Sequence, residues 1–146
     1  YGLRAVAYGA SCAGERKYVP IHEIADELDL SFHFLTKILQ QLTEAGLMIS
    51  YRGPNGGIAL ARDAERISLH DVVRAIDGDD LFTNCALGLA ECNDKRPCPL
   101  HEMWKHRGGE IREALQQASL FSLRDPVIRS QLRLRDDVVE KKTRKR

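Results

Sequence analysis

Three cysteines and a histidine share one short stretch, TNCALGLAECNDKRPCPLHEMW: Cys85, Cys92, Cys98 and His101. Six residues stand between the first two cysteines, five between the next two, and two between Cys98 and His101. Four soft or borderline donors can therefore converge on one centre with nothing from elsewhere in the chain. Thiolates with imidazole select zinc, copper(I) or an iron-sulfur cluster over hard cations, and spacing alone does not choose among these. The plainer reading, disulfides or unliganded thiols, is disfavoured because three loop cysteines leave one unpaired and nothing in the chain signals export. A histidine ligand adds a property of its own: protonation competes with coordination, so occupancy depends on pH. The fourth cysteine, Cys12, lies among small apolar residues in YGLRAVAYGASCAG and reads as an inert core thiol.

The elements that must position this loop can be read from periodicity. Leu3, Val6, Ala7 and Ala10 recur at three- and four-residue steps, predicting a helix over residues 1 to about 13, ended by Gly14 and the charged ERK. Pro20 is suited to opening a second helix, with Ile21, Ile24, Ala25 and Leu28 along one face. Asp29-Leu30-Ser31 then makes a tight connection with Ser31 as N-cap. A third helix runs to about Ala45, burying Leu35, Ile38, Leu39 and Leu42 and turning Ser31, His33, Phe34, Thr36, Lys37, Gln40 and Gln41 outward. Two helices joined this way, the second polar on its outer N-terminal half, make a helix-turn-helix. Residues 47–51 and 58–61 read as strands around the turn Arg52, Gly53, Pro54, Asn55, Gly56, Gly57, so a β-hairpin follows as a wing. Arg52 and the glycine-rich tip suit phosphates or a minor groove, because glycine lets a backbone approach another molecule closely.

Ser68-Leu69-His70-Asp71 has the form of a capping box, opening a helix with Val72, Val73 and Ile76 on its apolar face; Asp77-Gly78-Asp79-Asp80 ends it. After the cysteine loop, Leu100, Met103, Trp104, Arg107, Ile111, Leu115 and Ala118 recur at helical spacing, and Asp125-Pro126 breaks the pattern. That stripe exceeds what the N-terminal core can cover, which marks a protein partner, most simply a second copy of the chain, with Trp104 anchoring the interface. Gly108-Gly109 inside the helix predicts a close approach or a kink. The chain is thus mainly α with a small β-hairpin: a winged helix-turn-helix over 1–78, a cysteine-rich loop over 79–101, a dimerisation helix over 102–125 and a charged tail over 126–146.

With 146 residues, 43% of them hydrophobic, the chain can bury one core but not two independent ones. No apolar run reaches membrane-spanning length and no leader is recognisable, so no membrane partner is expected; the sparse, clustered cysteines suggest a reducing cytoplasm. The formal charge of +1 hides an asymmetry, because the last six residues, KKTRKR, carry five positive charges and leave the rest net acidic. Nucleic-acid binding must therefore use a local patch, or the tail as an auxiliary arm. No nucleotide loop, carboxylate pair or nucleophile beside a base points to an enzyme.

Taken together, IHEIADELDLSFHFLTKILQQLTEAGL, the wing SYRGPNGGIALARD and a three-cysteine loop before a long helix resemble the IscR and NsrR family of bacterial transcriptional regulators, from Tyr1 to about Leu123. The resemblance implies a homodimeric repressor of palindromic double-stranded operators, whose affinity is modulated by an iron-sulfur cluster sensing cluster status, redox stress or nitric oxide. Cys85, Cys92 and Cys98 match the three thiolate ligands, and His101 matches the histidine that completes a two-iron cluster. The first gap is six residues where five is common, and NsrR-like members hold a four-iron cluster with a carboxylate from near the N-terminus, so 4Fe-4S stays open beside the favoured 2Fe-2S. The competing readings are a winged-helix regulator with a structural zinc in the loop, and a cluster carrier.

Overall fold

The structure, a computed structural model, describes residues 1–13, 15–124 and 134. The expected helix stop at Gly14, the break at Asp125-Pro126 and, apart from Leu134, the charged tail lie outside the described residues.

Helix α1, Gly2–Cys12, buries Val6, Ala7 and Ala10 of the predicted face and half-buries Leu3, and Cys12 is buried in the core as expected. Helix α2, Ile21–Leu28, has Pro20 as its N-cap, and its C-cap Asp29 sits at φ 53, a left-handed conformation that a short polar side chain tolerates. The Leu30 N–H returns to the Ala25 carbonyl at 2.9 Å, which turns the chain sharply. Helix α3, Phe32–Glu44, starts from Ser31, whose hydroxyl accepts from the Phe34 N–H, and buries Leu35, Ile38, Leu39 and Leu42.

Strands β1, Met48–Tyr51, and β2, Gly57–Leu60, pair antiparallel with Met48 opposite Leu60 and Tyr51 opposite Gly57. The hairpin is moored to the chain ahead of α2: Val19 and Ile58 exchange both backbone hydrogen bonds at 2.9 Å. Tyr18 stacks on Tyr51 with ring centroids 5.3 Å apart. Helix α4, Leu69–Asp77, begins with the complete capping box of Ser68 and Asp71. A short 3₁₀ turn, Asp79–Phe82, then leads into the cysteine loop.

Helix α5 runs His101–Gln117 and ends earlier than the apolar periodicity suggested. Ala118 is extended, its carbonyl accepting from the Leu69 N–H at 2.9 Å, while the Leu120 N–H donates to Ile67 at 2.9 Å. These bonds pull the chain back to the foot of α4 and release a separate short helix α6, Leu120–Arg124, which packs on α1. Leu120 is fully buried and joins one core with Val6, Ile24, Leu28, Leu35, Leu42, Met48, Ile58, Ile67 and Val72. Among the described residues, no helix is long and apolar enough to cross a membrane.

Candidate metal centre and nucleic-acid interface

The cysteine loop is held between the end of α4 and the start of α5. The Trp104 indole N–H donates to the Asn84 carbonyl at 3.0 Å, fixing the residue just before Cys85. At Gly108 an added Cβ would lie 3.3 Å from the Phe82 carbonyl, so this glycine allows α5 to lie against the 3₁₀ turn. The expected close approach is therefore met at Gly108, whereas nothing crowds Gly109. Trp104 is partly buried in this single chain and serves the loop.

Within the loop the four expected ligands form two pairs. Cys85 Sγ lies 3.7 Å from Cys98 Sγ, and Cys92 Sγ lies 3.3 Å from His101 Nδ1. Among the described residues, no set of three or more His, Cys, Asp or Glu side chains gathers as a single metal-holding group. The pairs are linked through the backbone, since the His101 N–H donates to the Cys98 carbonyl at 3.0 Å at the head of α5. Cys85 is buried, Cys98 half-buried and Cys92 exposed, while His101 is only 3% exposed. Backbone N–H groups of Leu87 and Leu89 pull the Cys85 thiol below its usual pKa, favouring the thiolate a soft metal requires.

Two residues absent from the sequence expectation complete this arrangement. Asp94 Oδ1 lies 2.6 Å from His101 Nε2, and Lys105 Nζ lies 2.8 Å from the same oxygen. Lys105 first, then His101, holds the Asp94 carboxyl below the ordinary carboxylate range, and Asp94 in turn raises Lys105. A carboxylate on Nε2 favours the Nε2–H tautomer and leaves the Nδ1 lone pair facing Cys92, the orientation found around metal-bound histidines. The donor set and this tautomer fit a soft metal or a cluster. Cys92, Asp94, His101, Trp104, Lys105 and Arg112 also border a cavity of about 280 Å³. Neither Asp94 nor Lys105 stands at ligand spacing, so only a general expectation of a carboxylate behind a ligating histidine could have suggested them.

The second candidate region is the face of α3 with the hairpin. Ser31, His33, Phe34, Lys37 and Gln40 are exposed as expected, and Thr36 is half-buried with its hydroxyl donating to the Phe32 carbonyl at 2.8 Å. The Gln40 amide donates to Glu44 at 2.9 Å. A groove of about 780 Å³ runs between helix and hairpin. Thr36, Gln40, Arg52, Gly53, Pro54, Gly56 and Gly57 line it, joined by Phe32 and Tyr51; Ser31, His33, Phe34, Lys37 and Asn55 do not. Phe32 is 49% exposed, and its place directly after the N-cap, outside the buried stripe, was the signal that could have marked it.

The hairpin tip is not uniform. Arg52, Gly53, Pro54 and Asn55 are exposed and Gly56 is half-buried, but Gly57 is buried, and a Cβ there would lie 2.3 Å from the Val19 carbonyl. Gly57 is required by the mooring of the hairpin on Val19, a packing reason distinct from the ligand approach expected of it.

Residues 1–126 match the Rrf2 family, described as an iron-dependent transcriptional regulator. The regulator IscR of Vibrio vulnificus is 31% identical over 109 residues, 75% of this chain and 64% of that protein, so this chain spans less than two thirds of that relative's length. A putative regulator of Aquifex aeolicus is 26% identical, with 84% of this chain and 85% of that protein covered. Among solved structures, T. potens IscR superposes with a TM-score of 0.70 at 26% identity over 91% of this chain and 87% of that one. CymR, the global cysteine regulator of B. subtilis, gives 0.70 at 27% identity over 85% and 90%. A family match over most of the chain, relatives named as transcriptional regulators and the winged-helix architecture agree: the chain belongs to the Rrf2 family.

Proposed function

We propose that this chain is a homodimeric regulator that binds palindromic double-stranded DNA through α3 and the hairpin, and whose cysteine loop holds an iron-sulfur cluster, 2Fe-2S rather than 4Fe-4S. The observation that carries the reading is the pairing of three loop thiols with a buried histidine whose Nδ1 faces Cys92 while Asp94 occupies Nε2. Cys85, Cys92, Cys98 and His101 would hold the group, which supplies a redox-active centre whose loss changes the charge of the loop. Lys105 restrains Asp94, and Asp94 restrains the His101 ring. Trp104 ties the loop to α5, so a rearrangement around the cysteines is transmitted to that helix.

On the DNA side, Lys37, Thr36, His33 and Gln40 have the reach or the hydrogen-bonding groups to meet base edges, and Arg52 with the exposed tip suits backbone or minor groove. A two-fold dimer places the half-sites one helical turn or a multiple apart. Repression then follows if the operator overlaps a promoter. The same four donors suit a structural zinc, and the two readings separate on colour. Protein isolated without oxygen should absorb visible light and yield iron and acid-labile sulfide in a 2:2 ratio per chain; a 4:4 ratio would replace the two-iron assignment with the four-iron one, and a colourless, zinc-loaded protein would replace the cluster reading with the zinc one.

A further inference from the structure

We propose that Cys85 and Cys98 form a reversible intramolecular disulfide when the loop holds no metal, in a thiol-disulfide site from which Cys92 is excluded. The two sulfurs already face each other at 3.7 Å. A disulfide closes at about 2.05 Å, so a modest movement of two side chains completes it. Cys92 is turned elsewhere, 3.3 Å from the His101 ring, which Asp94 holds from the other side. The backbone supports the same pairing: the Cys85 carbonyl accepts from Gly88 at 2.9 Å and the Cys98 carbonyl from His101 at 3.0 Å, keeping each cysteine in its own turn.

The reaction takes a low-molecular-weight disulfide, RSSR, as oxidant. Cys98 is the more accessible of the pair, and its thiolate attacks one sulfur of RSSR, releasing the first RS⁻ and leaving a mixed disulfide. The Cys85 thiolate then attacks the Cys98 sulfur and releases the second RS⁻. Two cysteine thiols lose two electrons and two protons in total, and RSSR becomes two RSH. With two of its three thiols joined, the loop takes no metal until an external dithiol reverses the exchange. The loop thus couples metal uptake to the surrounding thiol-disulfide balance, whichever soft metal it binds.

The full chain, stripped of metal by a chelator, is incubated with oxidised glutathione; remaining thiols are alkylated in denaturant, and the protein is cut with trypsin and a glutamate-specific protease. Glu91 separates Cys85 from Cys92, and Lys95 separates Cys92 from Cys98, so every pairing has its own mass. The expected product is a dominant Cys85–Cys98 link with Cys92 alkylated, unchanged in Cys92→Ser; in Cys85→Ser, Cys98 should instead retain glutathione. A dominant link to Cys92, the mixture given by urea-unfolded protein, or no link at all overturns the proposal. Cobalt(II) uptake supplies the second readout: the oxidised chain should lack the thiolate-to-cobalt absorption and regain it with dithiothreitol, and uptake by the oxidised chain equal to that of the reduced one would refute the block on loading. Because cobalt and mass mapping are indifferent to the native metal, failure here leaves the iron-sulfur reading untouched, and a colourless native protein leaves this one standing.

Discussion

A single atom, oxygen for sulfur, separates each of the two variants that test the metal reading most directly from the wild type. Replacing Cys92 with Ser exchanges a soft thiolate for a hydroxyl, a poor ligand for iron or zinc, and should abolish iron retention in anaerobically purified protein. Cys12→Ser should keep its iron, because Cys12 is buried in the core with α1 and belongs to neither loop pair. Iron counts that fall for Cys12→Ser and hold for Cys92→Ser would reverse the assignment. The clustering of the loop cysteines with His101 was legible because cysteine spacing is a local property of sequence. Asp94 and Lys105 were not, since an acidic and a basic residue in a charged loop look alike whether they restrain a histidine or face water. Gly57 shows the converse: RGPNGG reads as an exposed turn throughout, and only the approach of Val19 reveals that its last glycine serves packing.

Among the elements, α2 is pinned to α1 through Glu23, whose carboxylate accepts from the Tyr8 hydroxyl at 3.0 Å and from Arg16 at 2.7 Å. Partial burial works against the charge, but Arg16 and Tyr8 outweigh it and hold the Glu23 pKa below its usual value. Burial and the Glu23 bond push the Tyr8 hydroxyl the other way, well above its ordinary value. A carboxylate whose folded pKa lies below its unfolded value stabilises the fold above the unfolded pKa of about 4.3, and that contribution fades as pH falls through the folded value. Thermal melts should therefore show Glu23→Gln less stable than wild type at pH 7, with the gap closing below about pH 4; a gap constant over that range would mean that the charge contributes nothing. Helix α6 yields a larger effect. Leu120 is fully buried against the N-terminal helices, and Leu120→Ala should cost about 2 to 5 kcal/mol in urea denaturation; a loss below about 1 kcal/mol would place Leu120 outside the cooperative core. The periodicity from Leu100 onward read as one helix because Leu115 and Ala118 stay in phase with it, and apolar phase alone does not register the two backbone bonds that end α5 at Gln117.

For the whole molecule, the proposed dimer would form on the long face of α5. Met103 is 51% and Ile111 53% exposed in the single chain, and only His101 and Gly108 are buried along the helix. We expect Ile111→Glu to sediment as a folded monomer where wild type sediments as a dimer; a dimeric variant with unchanged affinity between subunits would move the interface off α5. In the proposed complex, DNA binding would divide between the two parts of the winged helix. Arg52→Ala should weaken all sequences alike and lower the salt slope by about 1 if it meets a phosphate. Lys37→Ala should cost roughly 1 to 3 kcal/mol at the operator and relax one base position. Titrations over a salt series on operator and scrambled DNA read both, and unchanged values for both variants would sink the interface. The helix-turn-helix and wing were legible because they are built from short-range signals: a cap, a left-handed turn residue and a glycine-rich tip. The closure of the core by Leu120 was not, because it joins segments far apart in sequence, and that closure has a consequence for how the protein is made. Leu69 cannot meet Ala118, nor Ile67 meet Leu120, until the ribosome has released the cysteine loop and all of α5. The winged helix therefore waits, incomplete, while the loop emerges, since contacts of such long separation form late and slowly. The cysteines proposed to hold a metal are then exposed on a nascent chain before the fold that shelters Cys85 has locked, which would make early emergence, rather than the finished protein, the most open moment for loading.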